Sequence, residues 1–126
     1  MRIPDGLQLD KAAPILCAGI TMYDPIKSYG GTSGKKMTIG IIGVGGLGTM
    51  GIKIANALGH TVVAISTSVH KEAIAKEKGA HHFVVSTDPE SISKHAMTCD
   101  LILNTVSANH DINTYMPLLA KKGVIV

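Results

Sequence analysis

Ile39-Gly40-Ile41-Ile42-Gly43-Val44-Gly45-Gly46-Leu47-Gly48 is the stretch whose reading decides the fold. An apolar, β-branched run breaks into Gly-x-Gly-x-x-Gly and then into an amphipathic helix pattern. Strand, glycine turn and helix in that order make the phosphate-binding corner of a dinucleotide fold. Each glycine has a physical task. Gly43 turns the chain sharply out of the strand, Gly45 lets a pyrophosphate approach bare backbone, and Gly48 lets the helix lie close on the sheet. The helix N-terminus adds unpaired N–H groups and the positive end of its dipole. Spacing alone is weak in a chain with 14 glycines among 126 residues. The strand before it and the helix after it make it specific.

Working outward, Leu9 to about Tyr29 reads as helix, in two pieces broken near Pro14, with Asp10 as N-cap and Gly30-Gly31 as the stop. Thr32 to Lys36 is a turn, and Met37 to Ile42 the first strand. Gly46 to Leu58 is a crossover helix with Leu47, Gly51, Ile54 and Leu58 on one face. Thr61 to Ile65 is the second strand, Lys71 to Lys78 a helix, and His82 to Val85 the third strand. Pro89 opens a short helix. Leu101 to Val106 is the fourth strand, Ile112 to Ala120 a helix, and Val124 to Val126 the start of a fifth strand. Alternating strands and helices with short links predict an α/β fold of the Rossmann type. The parallel sheet is doubly wound, with helices on both faces and five strands in the order 3-2-1-4-5. A final strand that stops at the terminus predicts that a sixth is truncated and that the chain is one domain of a longer protein.

Composition narrows the function. The chain is long enough for one domain with a real core. Net charge is +3, with lysines spread out and Arg2 the sole arginine. That is a solvated surface and no nucleic-acid stripe. With three Tyr and one Phe there is no stacking platform for bases. Two distant cysteines, Cys17 and Cys99, and no apolar leader point to a reducing, cytoplasmic setting. No apolar run is long enough to span a membrane.

The end of the second strand reads the adenosine ribose. An NAD site usually carries Asp or Glu there, about 20 residues past the glycines. This chain has Ser66-Thr67-Ser68-Val69-His70-Lys71, with hydroxyls and a cation but no acid. A carboxylate would repel a 2′-phosphate, whereas Ser66, Thr67 and Lys71 would bind one. NADP is therefore expected over NAD. The same serines also fit a helix cap, and both roles are compatible. The missing acid also argues against an S-adenosylmethionine methyltransferase.

Ile3-Pro4-Asp5-Gly6-Leu7, then Ala12-Ala13-Pro14-Ile15-Leu16-Cys17-Ala18-Gly19-Ile20-Thr21, resembles the segment entering the cofactor domain of zinc-dependent medium-chain alcohol dehydrogenases. Gly43-Val44-Gly45-Gly46-Leu47-Gly48, Ile65-Ser66-Thr67-Ser68, Asn104-Thr105-Val106 and Lys122-Gly123 are similar to the cinnamyl alcohol dehydrogenase group. The resemblance covers essentially the whole chain. It implies a single NADP-binding domain over residues 1–126, with 1–34 a helical lead-in from a catalytic domain and 35–126 the Rossmann core. It implies that Cys17 is a ligand of the catalytic zinc and that Thr21 lies near the nicotinamide. The loop from Gly43 through Val44, Gly45, Gly46 and Leu47 to Gly48 holds the pyrophosphate. Ser66, Thr67, Ser68 and Lys71 form the 2′-phosphate end, and Thr105 and Gly123 line the nicotinamide side. In such enzymes zinc polarises the aldehyde oxygen and hydride passes from NADPH to the carbonyl carbon. The parent is then a homodimer acting on a small aldehyde or alcohol. A catalytic zinc generally takes three protein ligands, and the others belong to an upstream domain. The chain alone is expected to bind NADPH without turnover and to contain no catalytic residue of its own.

Two other functions share the glycine corner. A zinc-free quinone or enoyl reductase would leave Cys17 without a task, and a non-enzymatic dinucleotide sensor would have no reason for Ala-Pro-x-x-Cys-Ala-Gly-x-Thr. Cys99, just before the fourth strand, reads as core. His81-His82, adjacent in an extended segment, point opposite ways and read as surface. His60, His70, His95 and His110 are scattered, with His70 near the phosphate end.

Overall fold

The computed structural model describes residues 3–126; Met1 and Arg2 lie outside it. Helix α1 (Leu9–Ser28) runs into strand β1 (Thr38–Ile42), helix α2 (Gly46–Ala57) and strand β2 (Thr61–Ser66). A 3₁₀ turn (Val69–Lys71) leads into α3 (Glu72–Glu77), β3 (His82–Val85), α4 (Pro89–Lys94) and β4 (Cys99–Asn104). A 3₁₀ segment (Ile112–Leu118) then leads into β5 (Leu119–Ile125). All four strand pairings are parallel and the order is β3-β2-β1-β4-β5, as the alternation of elements predicts. The outer edge of β5 is unpaired among the described residues.

Strand alternation divides the core. Ile39 and Ile41 of β1 face the α1–α2 side with Met22, Ile26, Ile52 and Leu101. Ile42 faces the other side with Val63, Ile65, Val84, Ile102, Tyr115 and Leu118. Both faces of the sheet are covered, so its strands are apolar throughout. Helix α2 lies between the sheet and α1. Its buried residues are Gly48, Gly51, Ile52 and Ala55, while Leu58 is exposed and Leu47 and Ile54 are half-buried. The predicted face is thus rotated, because α2 has apolar neighbours on two sides. At Gly51 a Cβ would run into Met22 of α1, so the two helices meet at close range.

Helix α1 is continuous through Pro14 and Pro25. The expected break is absent because Ala12, Gly19, Met22 and Ile26 bury one face along its length. Its N-cap is Gln8, and Asp10 sits in the first turn, where its charge suits the dipole. Gly30 (φ +92) ends it in a Schellman motif, with Gly31 N–H donating to the Ile26 carbonyl at 2.8 Å. Helices α2 and α3 stop in the same way at Gly59 and Gly79.

The C-terminal region departs most from expectation. Ile112 to Leu118 is 3₁₀, capped by Asp111, whose carboxylate accepts from Asn113 N–H at 2.9 Å. Pro117, which lacks an N–H, falls where an α-helix would need a donor. Strand β5 starts at Leu119 rather than Val124 and carries an irregularity: Cys99 pairs with Leu119, but Leu101 with Val124. Strand β4 starts earlier than expected, at Cys99, and ends at Asn104. No described helix is long and apolar enough to cross a membrane.

Candidate dinucleotide-binding site

Parallel strands release their chains at one edge, and the glycine corner forms there at the end of β1. Gly43 N–H donates to the Ile65 carbonyl at 2.8 Å, and its φ of +92 suits only glycine. A Cβ on Gly43 would also meet the Thr105 hydroxyl and a Val106 methyl at 2.9 Å each. At Gly48 a Cβ would overlap the Gly43 carbonyl oxygen. Gly45 and Gly46 differ: a Cβ on either has no neighbour within 4 Å, and Gly45 has extended backbone (φ −103, ψ −162) that any residue adopts. The protein's own packing therefore requires Gly43 and Gly48. It leaves Gly45 and Gly46 as bare backbone facing open space at the start of a 12-residue helix with no side-chain cap. That opening suits a pyrophosphate, which needs close backbone approach and helix N–H donors. Val44 is buried in the core and Leu47 half-buried, so both anchor the loop.

A cleft of about 250 Å³ runs from this corner across the ends of β1 and β2. Ile42, Gly43, Ile65, Ser66 and Thr67 form one wall, and Val106, Ala108, Asn109, His110 and Tyr115 the other. No acid lines it. Ser66 Oγ accepts from Ser68 N–H at 3.2 Å, shaping the turn. Ser68 stands at the N-cap of the 3₁₀ turn but makes no side-chain capping bond, and Thr67 is exposed. Of the two roles open to these hydroxyls, the capping one is not realised at Ser68. Lys71 is exposed and makes no ion pair among the described residues. Uncompensated cation and free hydroxyl on one turn fit a phosphate monoester.

Val106, Ala108, Asn109 and His110 form a wall of the cleft, and of these Ala108 and Asn109 carry no motif in the sequence. Their one signal is their position directly after the fourth strand. His110 is set by its Nδ1–H, which donates to the Ala108 carbonyl at 2.7 Å, and by an edge-on contact with Tyr115 at 5.8 Å.

Thr105 lies at this edge but serves the corner itself. Its hydroxyl donates to the Ile42 carbonyl at 2.7 Å. Gly123 does not lie at this edge. The register pairs Leu101 with Val124, placing Gly123 near the start of β4, at the end of the sheet away from the glycine corner. A Cβ there would meet the Cys99 carbonyl at 2.6 Å, so its size serves the β4–β5 irregularity. At the carboxyl edge stands Val126 instead, whose carbonyl accepts from Asn104 N–H at 2.7 Å. Cys17 and Thr21 sit one turn apart on α1, both exposed, and the Thr21 hydroxyl donates to the Cys17 carbonyl at 2.8 Å. No group of three metal-ligating side chains occurs among the described residues. Cys17 by itself does not fit a zinc centre, which takes three or four protein ligands.

Residues 46–126 match the family described as zinc-binding dehydrogenase, and the chain belongs to that family. It is 49% identical to cinnamyl alcohol dehydrogenase 8 of Arabidopsis thaliana, covering all of this chain and 35% of that protein. It is 46% identical to NADP-dependent alcohol dehydrogenase C 1 of Mycolicibacterium smegmatis, covering all of this chain and 36% of that one. Among solved structures, a cinnamyl alcohol dehydrogenase of Sorghum bicolor superposes with a TM-score of 0.90 at 42% identity, over 99% of this chain and 35% of that one. The enzyme from Helicobacter pylori, solved with NADP(H), gives 0.84 at 34% identity, over 99% and 34%. The chain spans about a third of the length of the relatives it matches.

Proposed function

We propose that this chain is the NADP(H)-binding part of a zinc-dependent alcohol dehydrogenase or aldehyde reductase. The observation that carries the reading is the edge where β1 and β2 end: Gly43, Ser66 and Thr67 line one cleft, the backbone after Gly43 is bare at Gly45 and Gly46, and Lys71 is exposed farther along the chain from Thr67. Gly45, Gly46 and the α2 N-terminus bind the pyrophosphate. Thr67 and Lys71 bind the 2′-phosphate while Ser66 holds the turn that presents them. Ile42, Ile65 and Val106 exclude water from the adenosine. The bound dinucleotide supplies hydride for carbonyl reduction in the whole protein. Relatives named as NADP-dependent alcohol dehydrogenase and cinnamyl alcohol dehydrogenase support this class of substrate.

Zinc enters through the rest of the protein, since Cys17 offers one ligand from an exposed helix face. The chain alone is expected to bind cofactor without reducing aldehydes.

Titration of NADPH and NADH by calorimetry tests the reading. NADPH should bind more tightly. A hydrogen bond to a charged group contributes about 1.5–3 kcal/mol, so Lys71→Ala should weaken NADPH about ten- to a hundredfold and leave NADH nearly unchanged. Equal affinities for the two cofactors in the unmodified chain would overturn it.

A further inference from the structure

Strand alternation separates His81 from His82, and the fold then supplies His82 with a different partner. His81 is consumed locally, its Nδ1 accepting from Val62 N–H at 3.0 Å. His82, at the start of β3, is exposed, and its ring makes no hydrogen bond among the described residues. Helix α4 carries the chain back along the sheet and ends at His95, the C-cap. There the two imidazoles meet, with ring centroids 5.5 Å apart and planes inclined at 58°.

We propose that His82 and His95 form a binding site for a divalent transition-metal ion, copper(II) most tightly. Three features carry the assignment. The first is spacing. A nitrogen bound at about 2.0–2.1 Å puts its ring centroid about 3.2 Å from the ion, so two rings have centroids about 5.2 Å apart on a tetrahedral ion and about 4.5 Å apart in neighbouring positions of a tetragonal copper(II). The observed 5.5 Å is within about 1 Å of both values, and turning the exposed His82 side chain closes the difference. The second is the tautomer. His95 Nδ1 lies 3.2 Å from the Ser91 carbonyl, to which it can only donate, so Nε2 of the neutral ring keeps its lone pair. Metal-binding imidazoles are oriented by this kind of backbone carbonyl. The third is availability: His82 is free to turn either nitrogen inward, and no lysine or arginine makes an ion pair or hydrogen bond with either ring.

Two imidazoles with water in the remaining positions select borderline ions in the order copper(II), then nickel(II) and zinc(II), and reject calcium and magnesium. The site stands apart from the cleft. His82 pairs with Val63 near the start of β2, whereas the glycine corner follows the end of β1. It is therefore independent of the proposed cofactor and of Cys17.

Copper(II) and nickel(II) titrations of the untagged chain in a non-chelating buffer test this, read by calorimetry and by broadening of histidine ring resonances. One ion should bind per chain, with His82 and His95 broadened first. With Cys17→Ser as the common background, so that no exposed thiol competes for or reduces copper(II), His82→Asn should weaken copper(II) at least tenfold, as should His95→Gln, while His70→Asn leaves it unchanged. His82 is exposed on an edge strand, so its variant should retain the fold; circular dichroism checks this. Copper(II) affinity unaltered by His82→Asn would overturn the assignment. So would broadening spread evenly over all exposed histidines.

Discussion

The Thr105 hydroxyl donates to the Ile42 carbonyl at 2.7 Å, tying the end of β4 to the last residue of β1 directly before the glycine turn. The same oxygen stands 3.4 Å from the Gly43 carbonyl, and Thr105 N–H also donates to Ile42, at 3.1 Å. Thr105 thus braces the corner from beneath while Gly45 and Gly46 stay open above. A neutral hydrogen bond contributes about 1 kcal/mol. Thr105→Val should therefore loosen the turn and weaken NADPH about fivefold, with Thr105→Ser restoring it. Equal loss in both variants would trace the effect to packing.

The glycines of the corner should separate into two classes. Gly45→Val should fold with near-native stability and lose NADPH, because its side chain enters open space that the pyrophosphate needs. Gly48→Ala should unfold at lower denaturant, because its methyl group overlaps the Gly43 carbonyl and α2 must move off the sheet. Urea unfolding and cofactor titration on both variants check the division.

His60 is buried and joins three segments. Its Nδ1 accepts from Met37 N–H at 3.2 Å, and its Nε2–H donates to the Gly31 carbonyl at 2.7 Å. It thereby fixes where α1 ends and β1 begins. His60→Ala leaves both buried backbone groups without this partner, at about 1–3 kcal/mol each. The unfolding midpoint should fall clearly, with cofactor selectivity unchanged in the folded fraction. His60→Phe, which keeps the volume, should be no better.

The two thiols should differ sharply. Burial pushes the Cys99 pKa up to about 11, whereas Cys17 is exposed. At pH 8 a thiol-specific reagent should modify Cys17 quickly and Cys99 only after unfolding, since the thiolate is the nucleophile. The sign for stability follows. The folded pKa lies above the free value of 9.0, so ionisation favours the unfolded chain. The stability held by the neutral thiol is complete below pH 9 and is lost as pH rises through about 11. Cys99→Ala should flatten that part of the pH–stability curve.

Much of this protein was legible in its sequence because the deciding signals are local. A β-branched run, a Gly-x-Gly-x-x-Gly turn and glycine stops act through backbone sterics within a few residues, and β1, α2, β2 and β3 lie within a residue or two of where they are read. The parallel order follows from short right-handed crossovers, and the absence of an acid after β2 is a plain fact of composition. Tertiary structure decided what depends on register and on neighbours distant in the chain. Gly123 has the right type for the site, but pairing of Val124 with Leu101 carries it to the other end of the sheet. Pro14 does not break α1, because burial against α2 outweighs one missing hydrogen bond. Residues 106–110 became a wall only when β4 delivered them beside Ser66, and His82 met His95 only because α4 returned the chain to the start of β3. Spacing along a chain specifies turns and periods; distances between residues dozens of positions apart are set by packing.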